Sequence, residues 1–195
     1  MQQAHFSRSA IVSIEVGVEA SLLIIATIWI WVTNLDLRPL IIIKDAWPIA
    51  LGIGLGVLMN LSSLVLARLI SKVKGRLKYF ADLDAFVLTS HRKMYKEVTP
   101  LDIFLLAFSS GFCEEIFFRG VLQSQLGLVP AAVIFCVLFQ CCNYKALVAG
   151  LIYGVSLQVS GCLWLPIAAH VVNQIGKISM IRYQISKAVP DQQEM

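Results

Sequence analysis

From Ala20 to Val32 the chain carries no charged side chain, and the apolar run extends back to Ala10 with only Glu15 and Glu19 interrupting it. A second run covers Trp47 to Ile70, with Arg68 near its end. A hydrocarbon core about 30 Å thick requires roughly 20 predominantly apolar residues in helical form. Backbone polar groups in lipid must be satisfied within their own segment, so such runs are helices. The composition agrees: 58% of residues are hydrophobic and 14% charged, against about 25% charged in soluble domains. The fold class expected is all-α, a polytopic integral membrane helical bundle. Basic helices with reading side chains, zinc-finger spacing and runs of stacking aromatics are absent from the sequence, so no nucleic-acid partner is expected.

Continuing the same reading gives about six transmembrane helices. After Ala10–Val32 and Trp47–Ile70, a third span runs from Leu101 to Leu126, with Asp102 after Pro100 as a helix-start signal. Gly127 to Pro130 is expected as a turn. A fourth span follows from Ala131 to Cys142, a turn at Asn143–Lys145, a fifth span from Ala146 to Val159, a turn at Ser160-Gly161, and a sixth from Leu163 to Met180. Gly52, Gly54 and Gly56 in the second span permit close helix approach. The first run exceeds the apolar core of a signal peptide, about 7–15 residues, and is expected to remain as a span.

Three divisions follow: 1–97 as a two-span region with a basic loop, 98–183 as a four-helix core, and 184–195 as a cytoplasmic tail. The loop from Arg68 to Glu97 is rich in Lys and Arg. Its Leu77, Phe80, Leu83, Phe86 and Val87 recur at helical spacing, which predicts an interfacial amphipathic helix binding anionic lipid. Orientation follows from the basic residues. Six spans with an inner N-terminus put Arg8, this loop, Lys145, Lys177, Arg182 and Lys187 on one side, against Arg38 and Lys44 on the other. Both termini are therefore expected to be cytoplasmic, at the plasma membrane or the inner membrane of a bacterium. Cys113, Cys136, Cys141, Cys142 and Cys162 lie in or beside apolar segments without a CxxC, and are expected as buried thiols.

Charge inside these spans is the second constraint. Ionisable groups in hydrocarbon are rare, paired, and mark function. Ser109 to Gly120, SSGFCEEIFFRG, places Glu114, Glu115 and Arg119 within the third span. Glu115 and Arg119 are four apart on one face, where they can pair as a structural salt bridge. Glu114 is left over. Asn143 closes the fourth span, as a helix cap or a site residue. His170, Asn173 and Gln174 share a face of the sixth. Glu15 and Glu19, four apart, lie near the interface or face the bundle; a proton or substrate contact is the other reading. The set suits peptide-bond hydrolysis. A buried carboxylate can act as general base on a water, and an imidazole and a side-chain amide can donate to the developing oxyanion.

Glu114-Glu115-Ile116-Phe117-Phe118-Arg119-Gly120 resembles the EExxxRG signature of the CPBP family, the CAAX prenyl endopeptidases, bacteriocin-processing enzymes and abortive-infection proteins. Pro130, Leu138-Phe139, Gly150, Gly154, Ser160-Gly161, Leu163-Trp164, Pro166 and Ala169-His170 follow in the family's order. The resemblance covers about Leu101 to Gly176. It implies an intramembrane endopeptidase, with Glu114 as water-activating glutamate, Glu115 and Arg119 as supporting pair, and His170 as oxyanion stabiliser. The implied substrate is a membrane-associated, lipidated or leader peptide.

Two positions depart from the pattern. The family's FxxxH is here Phe139 followed by Asn143, and its HxxxN is His170 followed by Gln174, with Asn173 one residue earlier. The family is often labelled a metalloprotease. A catalytic zinc uses about three protein ligands, commonly with more than one imidazole. Of the histidines His5, His91 and His170, only the last falls in a span, so no zinc or other cofactor is expected. The rival reading is a catalytically impaired relative, a peptide-binding membrane scaffold or immunity-type protein. A small transporter is a third, and the absence of a repeat between the halves speaks against it.

Overall fold

The computed structural model describes residues 7–72, 95, 97–140 and 144–188. Among these every regular element is helical: α1 Arg8–Thr33, α2 Arg38–Ile41, α3 Trp47–Lys72, α4 Pro100–Glu115, a π-helical segment Ile116–Leu122, α5 Gln123–Leu126, α6 Leu128–Gln140, α7 Tyr144–Ser160 and α8 Trp164–Ala188. α1 and Trp47–Leu66 of α3 are long and apolar enough to cross a membrane, and α6 carries a shorter apolar helix, Leu128–Leu138. Large apolar side chains lie on the outside; Trp31 is 79% exposed, Ile24 61% and Leu58 61%. Such a surface is lipid-facing, and the molecule is a helical membrane bundle.

α4 begins with a capping box. The Thr99 hydroxyl accepts from Asp102 N, and Asp102 Oδ2 accepts from Thr99 N at 2.6 Å, with Pro100 in the first turn where its missing N–H costs nothing. Asp102 also receives Arg8 in a two-pronged bond, Nε to Oδ2 at 2.6 Å and Nη2 to Oδ1 at 2.9 Å. That pin sets the first turn of α1 beside the first turn of α4, and the two helices run on side by side.

α3 packs along α8. A Cβ at Gly52 would fall 2.8 Å from Ala168 Cβ, and one at Gly56 2.6 Å from Ala169 O and 2.7 Å from Val172 Cβ, so only glycine permits this approach. Gly54, on the other face, meets nothing. Asn60 donates to Val172 O at 3.1 Å, a polar tie across the same seam. α4 packs on α8, and α6 on α7.

Several expected boundaries move. The turn expected at Gly127–Pro130 contracts to Gly127, with φ 87°; Leu128 to Pro130 already belong to α6, since proline is tolerated in a first turn. The loop from Asn34 to Lys44 contains α2. Its end is tied to the start of α8 by Leu163 N–H to Leu40 O at 2.8 Å and Trp164 Nε1 to Ile41 O at 2.7 Å. α8 runs on to Ala188, across the division placed at 183. Cys113 and Cys136 are buried free thiols and Cys162 is half-buried and free. Cys141, Cys142 and Asn143 lie outside the described residues, as do His5, His91 and nearly all of the expected interfacial helix.

Candidate active site

The charged stretch spans the end of α4 and the π-helical segment. There Gln123 N–H bonds Phe118 O, five residues back, in place of the usual four. This wider winding turns side chains to directions a regular helix does not offer, and π segments recur at functional sites. Glu114 is 6% exposed, Glu115 0% and Arg119 1%.

Arg119 is the hub. Its Nε lies 3.1 Å from Glu115 Oε2, and its Nη2 donates to Gly150 O on α7 at 3.2 Å. The guanidinium carbon stands 4.6 Å from the Phe135 ring centroid and 5.4 Å from that of Tyr153, so aromatic faces take up part of the buried charge. Four residues on, Gln123 Nε2 donates to Gly154 O at 2.9 Å. Arg119 and Gln123 thus bond carbonyls one helical turn apart on α7, which fixes the register of the two elements.

Glu115 is used twice. Its Oε1 meets His170 Nδ1 at 2.7 Å while Oε2 faces Arg119. A carboxylate on Nδ1 makes that nitrogen the N–H donor and orients the imidazole. Nε2 of His170 then points to Glu114, 3.9 Å from its Oε2. Tyr153 stacks on the imidazole at 4.8 Å with 15° between planes, and Phe135 meets it edge-on. Asn173 donates to the Tyr153 hydroxyl at 2.8 Å. Its amide nitrogen therefore supports the imidazole's stacking partner. Gln174 is half-buried on α8.

Glu114 has a partner that the Glu-Glu-x-x-x-Arg spacing does not show. Ser110, one turn earlier, donates to its Oε1 at 2.9 Å. Glu19 of α1, 3% exposed, is also buried, and α1 packs along α4. Glu15, half-buried, receives the Tyr95 hydroxyl at 3.4 Å, and burial together with the Glu15 carboxylate pushes that phenol well above its ordinary range. The i, i+4 spacing of Ser110 to Glu114 is a sequence signal for the first contact. Nothing in the sequence singles out Tyr153 or Phe135.

Among the described residues no group of three His, Cys, Asp or Glu side chains is placed to hold an ion. Glu115 and His170 Nδ1 are turned on each other and on Arg119.

What the arrangement offers is one buried carboxylate facing an oriented imidazole nitrogen across a gap too long for a direct hydrogen bond and suited to an intervening atom. Residues 96–176 match the family model described as type II CAAX prenyl endopeptidase Rce1-like. No curated protein and no solved structure matches the chain. The matched segment contains Glu114, Glu115, Arg119, His170, Asn173 and Gln174, and that family is one of membrane-embedded CAAX-type proteases. Over residues 96–176 the chain therefore resembles the CAAX prenyl endopeptidase-like, or CPBP, family.

Proposed function

We propose that the protein is an intramembrane endopeptidase in which Glu114 activates a water against the peptide bond of a membrane-associated, lipidated or leader peptide. The observation that carries this reading is the 3.9 Å gap between Glu114 Oε2 and His170 Nε2, in a buried setting where Glu115 is already spent on Arg119 and His170. Glu114 takes a proton from water as the water oxygen bonds to the carbonyl carbon. The carbonyl π electrons move onto its oxygen, which His170, acting as the imidazolium with Nδ1–H on Glu115, stabilises through Nε2–H. Glu114 then passes the proton to the amide nitrogen as the C–N bond breaks, leaving an acid and an amine. Gln174 is the amide free to assist at the oxyanion, Asn173 being turned to Tyr153.

Depth supports an intramembrane site. At about 1.5 Å per residue, Glu114 lies about 18 Å along α4 from Asp102, more than half of a hydrocarbon core about 30 Å thick. The chain would thread the bilayer as six spans with both termini cytoplasmic, and the basic loop would hold anionic headgroups. Asn143, standing where the family pattern has histidine, favours the second reading: a relative that binds peptides as a scaffold or immunity-type protein. The deciding experiment offers a lipidated and leader-peptide library to the purified chain and to Asn143→His. Cutting by the wild type supports the endopeptidase; an inert wild type with a cutting Asn143→His supports the scaffold. Metal analysis of the same sample is expected to find less than stoichiometric zinc, and one zinc per chain would overturn the metal-free mechanism.

A further inference from the structure

A loop in water can leave its backbone to the solvent; one in lipid must find its partners in the protein. The segment between α1 and α3 is of the second kind. α2 has four residues, so its last carbonyls lack intrahelical partners. Leu40 O accepts from Leu163 N at 2.8 Å and Ile41 O from Trp164 Nε1 at 2.7 Å, both at the start of α8. Leu40 N and Ile41 N donate to Leu37 O at 3.0 and 3.2 Å. Leu40 and Ile41 thus have both backbone groups bonded inside the protein, and Ile42 N donates to Arg38 O at 3.1 Å.

The side chains sort accordingly. Leu37, 6% exposed, seats on Gly120, where a Cβ would stand 3.1 Å from its Cδ1. Leu40 packs between the apolar clusters around Phe118 and around Leu163. Ile41, Ile42 and Ile43 turn outward, Ile42 57% and Ile43 52% exposed. Charge does not hold the segment in water. Arg38 bonds Asp36 in two prongs, Nε to Oδ1 at 2.9 Å and Nη2 to Oδ2 at 3.0 Å, and Lys44 is balanced in number by Asp45.

All four tryptophans of the chain lie at this end of the bundle: Trp29 and Trp31 close α1, Trp47 opens α3 and Trp164 opens α8. The opposite end holds the Arg8–Asp102 pin, and there Ile178 and Ile181 of α8 pack with Ile103 and Leu106 of α4. Tryptophan gathers at the level of lipid headgroups. Exposed Trp31 and Val32 precede the segment and exposed Trp47 follows it, so the three isoleucines extend the lipid-facing surface of α1 and α3.

We propose that residues 37–43 are an interfacial membrane insert. Ile41, Ile42 and Ile43 enter the boundary between headgroups and acyl chains in the leaflet at the tryptophan end, and Leu37 and Leu40 grip the bundle beneath. Elements of this kind sink about 5–10 Å into that boundary. Its balanced charge fits a zwitterionic leaflet. Through Leu163 and Trp164 the insert braces the first turn of α8, and His170 follows Trp164 by about 9 Å along the same helix. The placement holds whether or not Glu114 activates water.

Photolabelling of the full chain in phosphatidylcholine vesicles tests it without a variant. One phospholipid probe carries a diazirine on an acyl carbon near the glycerol, a second at the chain end, and labelled residues are located by mass spectrometry. Ile42 and Ile43 are expected to take at least about threefold more label from the shallow probe than from the deep one. Leu58, about 16 Å along α3 from Trp47, should show the opposite preference. Equal or greater labelling of Ile42 and Ile43 by the deep probe overturns the proposal. So does the absence of lipid label there, and hydroxyl radicals made in the water then separate a loop in solvent, which they oxidise, from one covered by a second copy, which they spare. Trp164→Phe leaves Ile41 O without its donor, so the shallow label at Ile42 and Ile43 should fall at least about twofold while that of Leu58 holds. An unchanged label in this variant would overturn the bracing through Trp164.

Discussion

At the scale of single residues, the site is a division of labour among carboxylates of the same type. Glu115 and Arg119 are almost wholly enclosed, so each depends on the other. Removing one partner of a buried pair leaves an uncompensated charge, at a cost of about 3–5 kcal/mol. Arg119→Ala is therefore expected to lower the thermal unfolding midpoint sharply in detergent, and an unchanged midpoint would show that the pair bears little of the packing. Arg119→Lys keeps the charge but lacks the planar fork that reaches Glu115 and Gly150 together, and should recover only part of the loss. Tyr153→Phe keeps the ring stacked on His170 and removes the hydroxyl that Asn173 bonds. One neutral hydrogen bond is worth about 1 kcal/mol, so this variant should fold, with a modest fall in midpoint. The Glu115–Arg119 pair was legible in the sequence because four-residue spacing on a helix is a local property. The Ser110–Glu114 contact follows the same four-residue spacing, but an uncharged serine carries no signal of pairing. Glu19 was legible as an acid near the interface or facing the bundle, and the packing of α1 on α4 that buries it is not encoded by spacing within either helix.

At the scale of elements, the sequence located the apolar helices well and their ends less well. Apolar runs announce spans by length alone, whereas boundaries depend on local bonds such as those that draw α2 into the loop after α1 and tie it to α8. The π-helical winding of Ile116–Leu122 had no sequence signal; within and just after it, Arg119 and Gln123 bond carbonyls of α7, contacts that no local residue preference encodes. The glycines of α3 make the best test of helix packing. Gly52 and Gly56 face α8 at distances no Cβ tolerates, while Gly54 faces open space. Gly56→Leu should destabilise by about 1–3 kcal/mol or more, as overpacking of a close seam does. Gly54→Leu should be nearly silent in the same unfolding assay. Equal effects at both positions would mean that α3 does not meet α8 through this face.

At the scale of the molecule, the helices outside the matched segment bear on the site. α3 packs on α8, which carries His170, and α1 packs on α4, which carries Glu114. The basic residues from Arg68 to Glu97 were read as a cytoplasmic, lipid-binding loop, and cysteine labelling from one side of sealed vesicles tests it: labels in this loop and at both termini should react from the same side. The proposal to test first is Glu114 as the base that activates water. Its most direct measurement compares the cleavage rate of Glu114→Gln with that of the wild type on a lipidated peptide in reconstituted vesicles, with folding checked by thermal unfolding. Loss of a general base lowers the rate by about a hundredfold to ten-thousandfold. A folded Glu114→Gln protein with a rate reduced by that factor is the predicted result, and one that cuts as fast as the wild type would contradict the claim.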